Sequence, residues 1–194
     1  MARKVLISLF LGFGLYYVFL FQTIDSSLTM VFKLTPMLLL IILAFSTQAK
    51  NVPRYKMLIC IGLIFCAIGD YTLQWFIIGL SSFLIGHIFY ILAFRTTNEQ
   101  QTPLAVKIGL LIYGVAMAVW IAGSLWSEGE TVLAIAVCAY ITVIMTMGWT
   151  SFRTGCKYAI IGATLFIISD SVLAVNRFVT DVAFSHEIIM FTYY

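Results

Sequence analysis

Two aspartates one hundred positions apart, Asp70 and Asp170, each stand inside an apolar run long enough to cross a lipid bilayer. Asp70 lies in KMLICIGLIFCAIGDYTLQ (56–74) and Asp170 in KYAIIGATLFIISDSVLAVNR (157–177). A carboxylate at such a position costs about 3 kcal/mol on insertion scales, so it is rarely kept without a role. Laid over each other, the two runs share Ile61/Ile161, Gly62/Gly162, Ile68/Ile168, Asp70/Asp170 and Leu73/Leu173. Two acids close together in a low-dielectric medium do not both ionise readily, so one keeps its proton. An acid and a base are then available in one site. Three uses fit the pair: a hydrogen bond or ion pair between helices, proton shuttling in a transporter, or acid/base hydrolysis of a lipid.

Other residues could join them. Arg177 follows Asp170 by seven residues, on the same helix face and about 10 Å further along. Lys33 begins another apolar run at the same boundary. Both cations either snorkel to headgroups or hold a phosphate over an acid-lined cavity. His87 sits mid-run in FLIGHIFYILAF and reads as a hydrogen-bonded interior residue or as part of a polar pocket. The other histidine, His186, falls at a different level, so no zinc site is expected. Cys60, Cys66, Cys138 and Cys156 form no CxxC pair and read as small apolar fillers. A GxSxG element is missing, which disfavours a serine hydrolase.

The elements that must position these residues follow from composition. Of 194 residues, 62% are hydrophobic and only 10% charged, far from the quarter or so typical of soluble domains. The fold class is therefore all-α: a polytopic membrane protein forming one domain over 1–194, with no second core. A net charge of +3, spread over short loops, gives no reason to expect a nucleic-acid partner. Eight transmembrane helices are expected, at 5–21, 32–46, 56–73, 76–94, 106–123, 131–150, 157–176 and 182–194. The first lacks a small-x-small cleavage site and is read as a retained span. The eighth is too short to cross, so either the helix ends early or the sequence stops inside it at Tyr194. With alternating spans one side collects nine Lys/Arg residues (Arg3, Lys4, Lys50, Arg54, Lys56, Arg95, Lys107, Arg153, Lys157), the other only Lys33 and Arg177. That bias puts the N-terminus in the cytoplasm. The opposite side carries Asp25, Glu128, Glu130 and Asp181.

Depth then follows from helix rise. Asp70 lies 14 residues past Lys56 and Asp170 lies 13 past Lys157, so both sit about 20 Å from the inner boundary. Gly62, Cys66 and Asp70, at i, i+4 and i+8, give one helix a face lined by small residues, as helix contacts in membranes prefer. Trp75, Trp126 and Trp149 fall near span ends, as belt residues do.

GDYTL at 69–73, SSFLIGHIFYILAF at 81–94, SDSVLAVNRF at 169–178 and the terminal TYY resemble the YhhN-like family, which includes the transmembrane lysoplasmalogenases. Lys33-Leu34-Thr35-Pro36 is similar to that family's Lys-Pro element. The resemblance implies hydrolysis of the vinyl ether bond of a lysoplasmalogen to a fatty aldehyde and a glycerophospho-alcohol. It implies Asp70 and Asp170 as the catalytic pair, with the acid and base roles undivided. Lys33 and Arg177 would meet the phosphate, while His87, Tyr90 and Asn176 would shape the polar part of the pocket. The substrate is then a lysophospholipid within the bilayer, and the reaction needs no metal, nucleotide or redox cofactor. A bacterial inner membrane is the expected setting rather than an internal eukaryotic one. The competing expectation is a small proton-coupled transporter using the same two aspartates, since the third and seventh spans run in parallel. Pro36, Pro53 and Pro103 are expected at or near span ends, so no span is broken as transporter helices often are.

Overall fold

The computed structural model describes residues 2–20, 28–48, 52–97 and 100–194. Lys50 and Asp25, which enter the charge argument, and Phe21, the expected end of the first span, lie outside the described residues. Eight helices follow in order: α1 Ala2–Leu20, α2 Thr29–Ser46, α3 Pro53–Thr72, α4 Phe76–Phe94, α5 Leu104–Ser127, α6 Thr131–Arg153, α7 Lys157–Phe178 and α8 Ser185–Tyr193. The first seven are long and apolar enough to cross a bilayer. The eighth has nine residues and is too short to span, so the described bundle has seven candidate spans where the sequence suggested eight. The chain is a multi-pass membrane protein. Its outward side chains are apolar, as at Leu111 (67% exposed) and Val119 (70%), and only lipid makes such a surface tolerable.

Local chemistry sets the helix ends. Pro53 opens α3, where its missing N–H costs nothing. Gly129 (φ +82°) and Gly155 (φ +65°) supply the left-handed residues of the α5–α6 and α6–α7 turns. Pro36 departs from expectation. It lies inside α2, because that helix begins at Thr29, before the expected start at 32.

The α3–α4 hairpin is the frame on which the two halves meet: α2 packs on α3, and α6 packs on α4. The two hairpin helices approach backbone to backbone. A Cβ on Gly62 would fall within the Tyr90 ring, and one on Gly86 would lie 3.1 Å from the Gly62 carbonyl oxygen. Ser82 Oγ closes the seam by donating to the Phe65 carbonyl at 2.7 Å. At the turn, a Cβ on Gly79 would stand 2.7 Å from Leu73 Cα, an atom that cannot rotate away. Gly79→Ala should therefore cost about 1–3 kcal/mol through a forced backbone shift, read as a lowered midpoint in thermal unfolding in detergent. A midpoint unchanged within error would show that the turn yields freely. On the far side, α8 folds back between α1 and α7, where His186 Nε2 donates to the Tyr17 carbonyl at 3.2 Å.

Candidate active site

Three consecutive residues of α7 point to three different neighbours, as the 100° step of a helix requires. Ser169 Oγ donates to the Ile189 carbonyl of α8 at 2.9 Å. The carboxylate of Asp170 accepts a hydrogen bond at Oδ2 from Tyr140 Oη of α6. Ser171 Oγ accepts one from Tyr113 Oη of α5 at 2.7 Å. Asp170 is thus fixed in rotation by its own neighbours. Its Oδ1 has no hydrogen-bond partner among the described residues, and the side chain lines an internal cavity.

Asp70 is held differently. It is buried (3% exposed) in the last turn of α3, where backbone carbonyls lack helical donors. The Lys33 ammonium donates to the Asp70 backbone carbonyl at 3.0 Å and stands 3.8 Å from its Oδ1. A cation at a helix C-terminus also complements the helix dipole. Oδ2 accepts from Tyr193 Oη at 2.8 Å, and this is what the short α8 delivers. Both carboxylate oxygens of Asp70 are therefore engaged, one by a cation and one by a phenol.

Between the acids lies a box of rings. His87 of α4 is fully buried, with its ring centroid 4.6 Å from Phe166, 5.6 Å from Tyr140 and 5.9 Å from Tyr90. Phe166 in turn lies 5.4 Å from Tyr193. The path from Asp170 through Tyr140, His87, Phe166 and Tyr193 to Asp70 is thus continuous. His87 Nδ1 sits 2.6 Å from the Phe83 carbonyl, which can only accept, so the proton is on Nδ1. Its Nε2 is then a buried acceptor, and it has no hydrogen-bond partner among the described residues.

The cavity beside Asp170 is narrow, about 50 Å³, and lined mainly by apolar side chains of α4, α5, α6 and α7. That is room for a few waters, not for a lipid. Asp70 does not line it; from the cavity wall Asp70 is reached through Phe83, whose ring lies 6.3 Å from that of Tyr193. Phe76 and Phe178 form the wall at the α7 C-terminal end, and the Arg177 guanidinium lies 4.4 Å from the Phe76 ring centroid.

The residues singled out from sequence therefore separate. Asp70, Asp170 and His87 share one interior. Tyr90 borders it, with Oη 3.5 Å from Cys66 Sγ. Arg177 stands exposed at the cavity end, while Lys33 is drawn inward to Asp70 instead of standing beside Arg177. Asn176 is elsewhere: its Oδ1 accepts from the Val182 amide at 2.9 Å and pins the turn into α8. Tyr140 and Tyr193 were not singled out. The signal for Tyr140 was a lone tyrosine in mid-span, since a buried phenol within a membrane must find a partner. Tyr140→Phe keeps the ring and removes the donor, so it should leave the bundle folded and slow any reaction at Asp170 about tenfold. Steady-state rates beside a thermal unfolding curve would check this, and an unchanged rate would make the bond purely structural.

The YhhN family model matches residues 28–194. Lysoplasmalogenase TMEM86A of Homo sapiens is 32% identical over 151 residues, covering 70% of this chain and 60% of that protein. Lysoplasmalogenase TMEM86B of Mus musculus is 29% identical over 197 residues, covering 99% of this chain and 82% of that protein. A lysoplasmalogenase of Mycobacterium bovis is 27% identical over 152 residues, covering 72% and 57%. The chain thus spans about 60% of the length of the human relative. No solved structure matches significantly.

Proposed function

Since this chain belongs to the YhhN family, we propose that it is a membrane hydrolase that cleaves the vinyl ether bond of lysoplasmalogens, with Asp170 and Asp70 as its catalytic pair. The observation that carries the reading is the unequal bonding of the two acids. Asp170 lines the cavity, has one oxygen without a hydrogen bond and has no cation within ion-pair distance among the described residues. Asp70 has a cation and a phenol on its two oxygens. Asp170 is accordingly the proton donor, and Asp70 the fixed carboxylate behind it.

Chemistry follows from this division. Asp170 Oδ1 gives its proton to the outer alkene carbon, and the double-bond electrons form the new C–H bond. An oxocarbenium ion results at the carbon bearing the ether oxygen, facing the carboxylate just formed. Water adds to that carbon and returns a proton to the pair. The hemiacetal then collapses: the pair gives the regained proton to the glycerol oxygen as its carbon–oxygen bond breaks and takes up the hemiacetal hydroxyl proton as the aldehyde forms, so a fatty aldehyde and a glycerophospho-alcohol leave and the acid is restored. Arg177 meets the phosphate at the cavity end. The nine-to-two distribution of Lys and Arg supports an N-terminus in the cytoplasm, and the short α8 adds no cation to change it. A bacterial inner membrane is the setting we propose.

Purified protein in detergent, supplied with a lysoplasmalogen, is expected to release fatty aldehyde. A transporter needs a sealed compartment and would release none, so absence of aldehyde under conditions where the protein stays folded ends this reading.

A further inference from the structure

The resting cavity at Asp170 is far below the several hundred Å³ that a lipid-sized ligand fills. A second hollow adjoins it. Between α5 and α6 runs an apolar groove of about 410 Å³, open to the bundle surface, from Ala118 down to Lys107 and Trp149. Cavity and groove share two wall residues, Ile141 and Met145. Those two also supply the nearest atoms to the place where Gly114 would carry a Cβ: Met145 Cγ at 2.9 Å, Met145 Sδ at 3.5 Å and Ile141 Cγ2 at 3.9 Å. The partition between the hollows is therefore a flexible thioether seated against a glycine, a side chain that changes rotamer at low cost.

We propose that the α5–α6 groove is the binding site for the hydrocarbon chain of the substrate, and that Met145, seated on Gly114, is the gate through which that chain leaves the Asp170 cavity. This inference rests on the hydrolase reading above. Depth supports it. The vinyl ether is at the headgroup end of the chain, so with the bond at Asp170 the whole chain must run away from Arg177. Tyr140 marks the Asp170 level on α6; Trp149, nine residues on, lies about 13 Å further from the Arg177 end. The cavity reaches only as far as Met145, and the groove supplies the rest of that length. Lys107, 5.9 Å from the Trp149 ring centroid, closes the far end with a polar head, so the groove has a finite length.

Two substrates test it, an octenyl and an octadecenyl lysoplasmalogen, with the wild type and three variants. Gly114→Leu pushes Met145 across the passage, and Ala118→Phe fills the groove without touching the partition. Gly109→Leu is the control, on the same helix with open space around it. Both groove variants are expected to lower kcat/KM for the long chain by about tenfold or more, with the short chain changed less than about twofold. The control is expected to leave the ratio of the two rates alone. If Gly114→Leu fails to fold, Ala118→Phe decides. Wild-type turnover with an unchanged long-to-short ratio in the folded groove variants overturns the inference and leaves the hydrolase reading intact, the groove then holding only bilayer lipid. No wild-type turnover of either substrate overturns the hydrolase reading and this inference together.

Discussion

Replacing Asp170 with asparagine is expected to reduce aldehyde release at least about a hundredfold while the bundle stays folded. The two side chains have the same shape, and an amide oxygen still accepts the bond that Tyr140 Oη donates. Packing against α6 is therefore kept, and so are the anchors of Ser169 and Ser171 on α8 and α5. What is lost is a dissociable proton on a carboxyl group that lines the cavity. Protonating an alkene carbon is the slow step of vinyl ether cleavage, and no neighbour can replace the donor. Tyr140 has its hydroxyl hydrogen committed to Asp170, and the one proton of His87 is on the nitrogen facing Phe83. The measurement is single-turnover aldehyde release beside a thermal unfolding midpoint. A rate within about threefold of wild type, at an unchanged midpoint, would remove Asp170 from the chemistry.

How far the sequence foretold this site depends on which distances a helix fixes. The levels of Asp70 and Asp170 follow from rise per residue, and one chain of rings runs between them. Arg177 shares a helix with Asp170, so its place beyond it was legible as well. Spacing puts Lys33 at a membrane boundary and leaves its partner open, since that partner lies on another helix; packing of α2 on α3 gives it the carbonyl and carboxylate of Asp70. Asn176 stands in the same helix, one residue from Arg177, and its side chain satisfies the backbone of the turn that follows, a contact that helix spacing does not reveal. The role of α8 was hidden by its length. The nine residues of α8 fall short of a span, and the contact of Tyr193 with Asp70 depends on how α8 packs back on the bundle, which spacing along the chain does not give.

The largest effect on stability is expected at Lys33. Its ammonium and the Asp70 carboxylate are both removed from water, with side chains 13% and 4% exposed. Lys33→Met takes away the cation, keeps most of the stem, and leaves a buried carboxylate with Tyr193 alone. Breaking one side of such a pair costs about 3–5 kcal/mol, because the surviving charge has lost its compensation. Asp70→Asn should cost less, since the lysine keeps its bond to the Asp70 backbone carbonyl. The double variant, Lys33→Met with Asp70→Asn, strands no charge and should recover most of the stability lost in Lys33→Met alone, a coupling that a double-mutant cycle on unfolding midpoints would report. Activity separates the two roles of the pair. If Asp70 serves the reaction as a fixed negative charge behind the cavity wall, acting at a distance on the oxocarbenium ion, the double variant is stable and inactive. If the double variant regains both stability and turnover, the pair is only a clamp between α2 and α3, and Asp170 works without it.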